Sequence, residues 1–344
     1  MRAFQLDGRE RVSLRNVPRP SPRPGEVVLR VAASAFCHSD VHHLEATLHP
    51  PGMDLPVTMG HEFSGWIEEL GAGVSGPEIG ALVGVYLAHG CGSCAPCCRG
   101  EDHLCDTGLR VPGVHFDGGM AEFVVVRADN VVDASGLEPG VVAALTDAGV
   151  TAHHSIRLGL SAIGVRDRVL VIGVGGLGHL AIQILRACTD ADIVAVDIDA
   201  ARLDLARRLG AADAVLASEV DQVLGAETID AVFDFVGSPS SVATGCRVVR
   251  RGGALVVAGL AGGVVSLVAG QAPPVVGTAA PRGTSVVFPT LGARSDLAAV
   301  IELARSGRIS VECVSYPLER AAEALADVRA GRVLGRAVVR PPGG

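Results

Sequence analysis

The pattern of apolar and polar positions changes near residue 150. Before it, short β-rich or alternating stretches, separated by Gly and Pro, predict strands at Val27–Ala33, Phe63–Leu70 and Ala121–Val126. After it, apolar runs alternate with stretches of helical spacing. The predicted strands there are Arg168–Gly173, Ile193–Asp197, Ala214–Leu216, Ala231–Val236 and Ala254–Gly259, and the predicted helices are Leu177–Cys188 and Ala201–Leu209. This alternation predicts an α/β unit with a doubly wound parallel sheet.

The last part of the chain returns to a mixed pattern, with predicted helices at Asp296–Ser306 and Arg320–Ala330 and a strand at Arg336–Val339. With 344 residues, the chain is long enough for two domains and a cleft between them. Hydrophobic residues make up 49% and charged residues 19%, which is typical of a globular protein rather than a disordered one.

Charge and cysteine content narrow the possible partners and location. The formal net charge is −8 and Lys and Arg form no run, so we expect neither nucleic acid nor an anionic membrane as a partner. Met1–Leu14 lacks the apolar core of a signal peptide, and Gly, Arg and Asp interrupt every apolar run. We therefore expect a cytoplasmic protein, in which clustered members of the nine cysteines bind metal rather than form disulfides.

A glycine motif, Gly173-Val174-Gly175-Gly176-Leu177-Gly178, lies between a predicted strand and a predicted helix. Such glycines permit a tight turn, approach of the backbone to a pyrophosphate, and close packing of helix on strand. Asp197 ends the next strand, 19 residues after Gly178, where a carboxylate binds ribose hydroxyls and repels a 2′-phosphate. The motif therefore predicts a Rossmann site that prefers NAD to NADP.

Four cysteines in C-x2-C-x2-C-x7-C spacing, Cys91, Cys94, Cys97 and Cys105, lie in a glycine-rich stretch. Two-residue gaps allow thiolates to converge on one zinc ion, and four sulfur ligands leave no open position, so the spacing predicts a structural zinc site. Cys98 directly follows Cys97 and leaves a second register open.

Three other segments could contribute to an open metal site, namely Cys37-His38-Ser39-Asp40, Gly60-His61-Glu62 and the stretch around Asp147. One thiolate, one imidazole and one carboxylate are the three protein ligands that a catalytic zinc needs. Each segment taken alone is equally explained by packing or by a turn, and spacing alone does not link them.

Together these motifs resemble those of the zinc-containing medium-chain dehydrogenase/reductase family over essentially the whole chain, most closely its bacterial NAD-dependent secondary alcohol dehydrogenases. The motifs are C-H-S-D at Cys37, G-H-E-x-x-G at Gly60, the four-cysteine loop, D-A-G-V-T at Asp147, the glycine motif, and Gly335–Val339. The resemblance implies a GroES-like, β-rich catalytic domain over residues 1–149 and 286–344, and a Rossmann NAD-binding domain over residues 150–285.

Residue roles follow from the resemblance position by position. It implies a catalytic zinc held by Cys37, His61 and Asp147, although many relatives have Cys at the third position, and a structural zinc held by Cys91, Cys94, Cys97 and Cys105. It also implies that Glu62 approaches the metal during ligand exchange, that Asp40 orients His61, that Ser39 bonds the substrate oxygen, and that His42 ends a proton relay. The implied cofactor contacts are His38, Thr151, Gly173, Gly175, Gly176, Leu177, Gly178, Asp197, Arg202 and Arg336, the last at the pyrophosphate.

The implied activity is reversible hydride transfer between an alcohol, expected to be secondary, and NAD, in a homo-oligomeric enzyme, a tetramer or a dimer. Two alternatives stay open: a zinc reductase of the same fold that acts on an enone or imine of a secondary metabolite, and a non-catalytic nucleotide-binding scaffold. The stretch His43–Leu55 matches no family motif and is expected to shape the substrate pocket.

Overall fold

The computed structural model describes residues 1–45, 52–164, 166–266 and 279–343, so part of the His43–Leu55 stretch lies outside the described residues. The strands are β1 (Arg2–Gly8), β2 (Arg11–Asn16), β3 (Glu26–Phe36), β4 (Val57–Thr58), β5 (Glu62–Leu70), β6 (Leu82–Val85), β7 (Phe123–Arg127), β8 (Val131–Asp133), β9 (Arg168–Ile172), β10 (Asp192–Asp197), β11 (Asp213–Leu216), β12 (Ile229–Asp234), β13 (Val249–Val257), β14 (Ser285–Val287), β15 (Cys313–Pro317) and β16 (Arg336–Arg340).

The helices are α1 (His38–Leu44), α2 (Ala95–Cys98), α3 (Pro139–Ala144), α4 (Val150–Gly159), α5 (Gly178–Cys188), α6 (Ala200–Arg208), α7 (Val220–Val223), α8 (Pro239–Val248), α9 (Arg294–Arg305) and α10 (Ala321–Arg329). A π-helical turn, Leu145–Gly149, joins α3 to α4, and short 3-10 turns cover Asp102–Leu104, Ala128–Asn130, Leu160–Ala162 and Leu318–Arg320. Within the described ranges, no helix combines the length and apolar character needed to cross a bilayer.

The first of two compact units comprises Met1–Val150, Ala293–Ser306 and Val311–Gly344. It contains a three-stranded sheet in the order β2-β1-β4 and a seven-stranded sheet in the order β15-β16-β3-β5-β6-β8, in which β7 also pairs with β3. The long strand β3 is central because it pairs antiparallel with β5, β7 and β16. Segments from both parts of this unit, β3 and β16, therefore contribute to one sheet.

The register of β3 against β5 sets where this unit can bind a ligand. Ala35 near the end of β3 lies opposite Glu62 at the start of β5, so the residues that follow β3 and precede β5 come together. Small, fully buried side chains, Ala33, Ala35 and Ala143, let α3 pack closely on β3. This packing places the turn after α3 beside the same end of the sheet.

The second unit comprises Thr151–Gly292 and Gly307–Ser310. Its six strands are all parallel, in the order β11-β10-β9-β12-β13-β14, and helices alternate with them along the chain. The predicted doubly wound parallel sheet is confirmed. The strand order reverses between β9 and β12, and such a switch point opens a ligand site at the carboxyl ends of the strands.

The second unit extends beyond residue 285, where the sequence places its end. Ser285–Val287 pairs with β13 as the sixth strand, so the unit continues to Gly292. A second short segment, Gly307–Ser310, also belongs to it because the buried Gln183 carboxamide pairs with Ser310. The Gln183 Nε2 donates to the Ser310 carbonyl at 2.8 Å, and the Ser310 amide donates to Gln183 Oε1 at 2.8 Å.

Candidate metal centres and cofactor loop

Four side chains from three separate segments meet at the end of β3 in the first unit. Cys37 caps the N-terminus of α1, His61 directly precedes β5, Glu62 begins β5, and Asp147 lies in the π-helical turn after α3. One potential ligand atom from each of the four lies within 4.8 Å of the others. The structure therefore brings together the three segments that spacing alone could not link.

The distances in this cluster suit a tetrahedral zinc ion. His61 Nε2 lies 3.5 Å from Asp147 Oδ2 and 4.0 Å from Glu62 Oε1. Zinc–nitrogen and zinc–oxygen bonds of about 2.0–2.2 Å at tetrahedral angles separate two ligand atoms by roughly 3.4 Å. The thiol, imidazole and carboxylate of Cys37, His61 and Asp147 thus fit a metal that keeps one position open for a further ligand.

Asp40 holds two members of this cluster at once. Its carboxylate is completely buried, its Oδ1 lies 3.4 Å from His61 Nδ1, and its Oδ2 accepts a hydrogen bond from the Cys37 backbone amide at 2.8 Å. A proton on Nδ1 leaves the lone pair on Nε2, the nitrogen that faces Asp147, for a metal. The structure thus places Asp40 beside His61, the residue that the resemblance implies it orients.

The electrostatics of the cluster favour a cation. Burial disfavours the charged imidazolium, yet the Asp40 and Asp147 carboxylates raise the pKa of His61 well above its ordinary value. Two carboxylates around a buried imidazole stabilise positive charge, whether a proton or a metal ion supplies it. Because a metal ligand must be deprotonated, we expect metal and proton to compete at this nitrogen.

The structure pairs Glu62 with Arg336, which sequence reasoning missed. The Arg336 guanidinium is 5% exposed and forms an ion pair with Glu62 Oε1, and Glu62 itself is fully buried. Residue 336 lies on β16, which pairs with β3 through Ala337 and Phe36. No motif links positions 62 and 336, so only the register of the sheet could have indicated this contact.

The remaining predicted catalytic and cofactor side chains of this unit lie on α1. Ser39 Oγ is 3.3 Å from His61 Nε2, on the side of the ring that faces the cluster. The rings of His38 and His42 meet edge to face, with their centroids 5.1 Å apart, and His38 is exposed. Helical spacing thus places Ser39 next to the cluster, and the two histidines one turn apart.

The four-cysteine cluster is also present. Potential ligand atoms of Cys91, Cys94, Cys97 and Cys105 lie within 4.8 Å of one another. Cys94 Sγ and Cys105 Sγ are 3.9 Å apart, whereas four zinc–sulfur bonds of about 2.3 Å place sulfurs roughly 3.8 Å apart. Hydrogen bonds lower the pKa of Cys91 to about 5, and the bond from the Ser93 hydroxyl has the largest effect. The lowered pKa favours the thiolate.

The predicted cofactor loop of the second unit connects β9 to the N-terminus of α5. A Cβ atom on Gly178 would lie 1.8 Å from the Gly173 carbonyl oxygen, so only glycine allows the helix to approach the strand this closely. The loop leaves the carboxyl end of β9 beside the switch point, where a dinucleotide phosphate meets a helix N-terminus.

Asp197 ends β10 next to this loop. Its Oδ2 accepts a hydrogen bond from the Val174 amide at 2.7 Å, and its Oδ1 accepts one from Asp199 at 3.0 Å. Arg202 lies beside the loop. Its Nη1 is 3.6 Å from the position that a Cβ atom on Gly175 would occupy. Thr151, the first residue of the second unit, is buried. Asp197 and Arg202 thus both lie beside the glycine loop.

Comparison with known proteins agrees with both units. The family described as alcohol dehydrogenase GroES-like domain matches residues 23–136, and the family described as zinc-binding dehydrogenase matches residues 176–306. The chain is 33% identical to an NAD-dependent alcohol dehydrogenase of Sulfurisphaera tokodaii, over 99% of this chain and 100% of that protein.

Solved structures extend this similarity to the whole fold. The alcohol dehydrogenase of Aeropyrum pernix matches with a TM-score of 0.89 at 31% identity, covering 99% of this chain and 100% of that one. The acetophenone reductase of Geotrichum candidum, solved with NAD, matches with a TM-score of 0.86 at 28% identity, covering 98% and 96%. With matching family models, sequence and fold, the chain belongs to the zinc-containing medium-chain dehydrogenase/reductase family.

Proposed function

We propose that this protein is a zinc-dependent, NAD-linked alcohol dehydrogenase that interconverts an alcohol, preferably a secondary one, with its ketone or aldehyde. The observation that carries this proposal is the gathering of Cys37, His61 and Asp147, while the fourth member of the cluster, Glu62, is paired with Arg336 and so leaves one ligand position for a substrate. A four-sulfur site alone would fit a purely structural metal, whereas three mixed ligands fit a metal that meets a substrate.

The names of the relatives support the reaction class. The similar protein of Sulfurisphaera tokodaii is an NAD-dependent alcohol dehydrogenase, and the similar structure from Geotrichum candidum is an acetophenone reductase. Acetophenone is a ketone whose reduction gives a secondary alcohol. This second similarity supports the preference for secondary alcohols.

In the proposed reaction, Cys37, His61 and Asp147 would hold the catalytic zinc, and Cys91, Cys94, Cys97 and Cys105 the structural one. When bound, zinc acidifies the alcohol as a Lewis acid and NAD accepts the hydride. Ser39 Oγ lies 3.3 Å from His61 Nε2, so it would accept the hydroxyl proton of a substrate bound beside this ligand and pass its own proton on to the cofactor ribose. His42, one turn further along α1, is the proposed end of the proton relay.

Other side chains have proposed supporting roles. We assign Asp40 to hold the His61 tautomer and Glu62 to approach the metal during ligand exchange, while Arg336 neutralises Glu62 when it lies back. His38, Arg202, Arg336 and Thr151 are the proposed contacts to the cofactor outside the glycine loop. Gly173, Gly175, Gly176, Leu177 and Gly178 form the proposed pyrophosphate cradle.

The preference for NAD rests on Asp197. Its carboxylate is held at the loop by the Val174 amide and still has lone pairs for ribose hydroxyls, and its charge would repel the 2′-phosphate of NADP. We expect Asp197→Asn to weaken NADH binding about tenfold or more by fluorescence titration. The matched surface variant Asp204→Asn should bind NADH like the wild type.

Location and assembly complete the proposal. None of the nine cysteines forms a disulfide in the structure, which suits the reducing cytoplasm and metal binding better than an oxidising compartment. We also propose a homo-oligomer, a dimer or a tetramer. Strand β14 ends the described six-stranded sheet, and Phe288 just after it is 62% exposed, an apolar surface that a second copy could cover.

The experiment that tests the proposal is a substrate panel followed by NADH absorbance, with zinc content measured on the same sample. Primary and secondary alcohols of equal carbon number are compared with NAD and with NADP. The expected result is two zinc ions per chain and faster oxidation of secondary alcohols with NAD. Activity only on enones or imines would favour a tailoring reductase, and one zinc with no turnover would favour a non-catalytic scaffold.

A further inference from the structure

A loop distant in sequence packs behind the turn that presents His61. We call residues 110–120 the backing loop; it follows the four-cysteine loop along the chain. Hydrogen bonds join it to the three residues before His61: the Gly118 amide donates to the Thr58 carbonyl at 2.8 Å, the Gly119 amide to Gly60 at 2.7 Å, the Met120 amide to Met59 at 2.9 Å, and the Thr58 amide to Asp117 Oδ1 at 2.8 Å.

The contact between the backing loop and the His61 turn is unusually close. Gly60 has a φ of +91°, a conformation that glycine adopts most readily. A Cβ atom on Gly118 would lie 2.2 Å from the Gly60 carbonyl oxygen, well below any real contact. Backbone therefore meets backbone with no flexible side chain between them, and a shift of the backing loop must move the peptide that precedes His61.

The other end of the backing loop is attached to the base of the four-cysteine loop. The His89 amide donates to the Arg110 carbonyl at 2.9 Å, and the His89 ring lies 4.7 Å from the ring of Phe116. His89 is two residues before Cys91, the first ligand of the four-cysteine cluster. A continuous path of backbone hydrogen bonds and ring packing thus connects one candidate metal site to the other.

We infer that the backing loop is a positioning element for the catalytic metal, that Asp117 and Gly118 set the direction of His61, and that the four-cysteine site acts on the catalytic site through this loop. The inference rests on the proposed two-zinc function. The four-cysteine zinc would then support metal binding at the catalytic site, in addition to holding its own loop together.

The first test compares Gly118→Ala with Gly108→Ala. Nothing lies within 4 Å of a Cβ on Gly108, which has a φ of +97°, so that variant adds backbone strain without a clash. We expect Gly118→Ala to weaken zinc at the Cys37–His61–Asp147 site at least tenfold in chelator competition. Cobalt substituted at that site should show altered visible bands, with the four-sulfur bands unchanged. Wild-type affinity and spectrum in Gly118→Ala would overturn the inference.

A milder variant covers the case in which Gly118→Ala does not fold. Asp117→Asn keeps the size of the side chain but weakens the acceptor for the Thr58 amide. We expect a smaller loss of affinity in the same direction, with the same change in the cobalt spectrum. Unchanged cobalt bands and zinc affinity in this variant would contradict a positioning role for Asp117.

The second test asks for coupling between the two sites. Cys97→Ser should release the four-cysteine zinc and also weaken zinc at the catalytic site several-fold. In a Cys97→Ser/Gly118→Ala protein the two losses should be less than additive, because both act through one loop. Full independence of the two sites would overturn the coupling.

Metal binding and alcohol oxidation by the wild-type protein distinguish failure of this inference from failure of the proposed function. A wild-type protein that binds zinc at Cys37, His61 and Asp147 but oxidises no alcohol would overturn the function, while the affinity comparisons would still decide the role of the backing loop. A wild type that binds no metal at those three residues would overturn both.

Discussion

The Asp40 carboxylate faces His61 Nδ1 at 3.4 Å while its other oxygen holds the Cys37 amide. One buried side chain thus sets the imidazole of one predicted zinc ligand and the backbone of another. Cys37 and His61 are 24 residues apart in the sequence, and the geometry of both depends on a single carboxylate. Removing its charge should therefore disturb the metal site more than removal of a surface charge.

We predict that Asp40→Asn lowers zinc affinity at the catalytic site about 10–100-fold. If the amide oxygen keeps the Cys37 bond, the amide NH2 faces His61 Nδ1 and favours the tautomer that carries its proton on Nε2. That proton occupies the position that the metal needs. Chelator competition measures the affinity. Asp133→Asn, at an exposed ion pair, is the control, and equal affinities in both variants would count against the assignment.

The adjacent thiols Cys97 and Cys98 allow a sharp test of the four-cysteine site. Cys97 belongs to the cluster of close ligand atoms, whereas Cys98 is exposed and does not. We predict that Cys97→Ser loses one zinc ion per chain and unfolds at a lower temperature, and that Cys98→Ser keeps both properties. Zinc analysis and thermal denaturation provide the measurements; the opposite pattern would mean that the ligand register is shifted by one residue.

The buried ion pair between Glu62 and Arg336 should respond asymmetrically to mutation. Glu62→Gln leaves a buried guanidinium without its counter-charge, and such losses destabilise proteins by about 3–5 kcal/mol. Replacement of both partners, in Glu62→Gln/Arg336→Met, should restore part of the free energy of unfolding. Urea denaturation of the wild type and these variants measures the free energy of unfolding. A double variant less stable than Glu62→Gln would contradict the assignment of a buried ion pair.

His179 should make stability depend on pH. Burial holds its pKa at about 4, and its Nδ1 lies 2.9 Å from the Gly175 carbonyl oxygen, to which it donates. Below the unfolded pKa of about 6.5, the unfolded chain binds a proton that the folded chain does not. This group therefore lowers the free energy of unfolding by about 2 kcal/mol between pH 7 and pH 5, and the loss continues down to about pH 4.

The matched variant is His179→Asn, whose amide can still donate to the Gly175 carbonyl but does not titrate. The difference in unfolding free energy between wild type and variant, from urea denaturation at several pH values, isolates this group from other titrating residues. We expect the wild type to lose more stability than the variant as the pH falls. Parallel curves would show that His179 is not held neutral by the fold.

The strands, helix and glycine loop of the second unit could be predicted from the sequence because the residues that define them are close together in the chain. The glycine motif, the apolar strands and Asp197 all lie within one stretch of chain, and the structure shows them as β9, the loop, α5 and β10. The four-cysteine site was equally accessible, because its ligands are separated by short gaps. In both cases the residues that meet in space are also close in the sequence.

The catalytic cluster was harder because its members are joined only by sheet register and packing. The pairing of Ala35 with Glu62 and the close packing of α3 on β3 bring Cys37, His61 and Asp147 together, and neither has a local sequence signal. The family resemblance supplied that link, but the Glu62–Arg336 pair and the backing loop appeared only in three dimensions. The edge strand β14 was missed because three residues are too short to show a pattern.

The π-helical turn that carries Asp147 bears on how such a site is inherited. A π turn contains one residue more than the α-helical turn it replaces, so α3 could continue as a regular helix if one residue were deleted. The side chain at position 147 would then rotate by about 100° away from its partners. A single-codon deletion could thus end the metal chemistry while both sheets persist, and the reverse insertion could create it in a lineage that already has the strands.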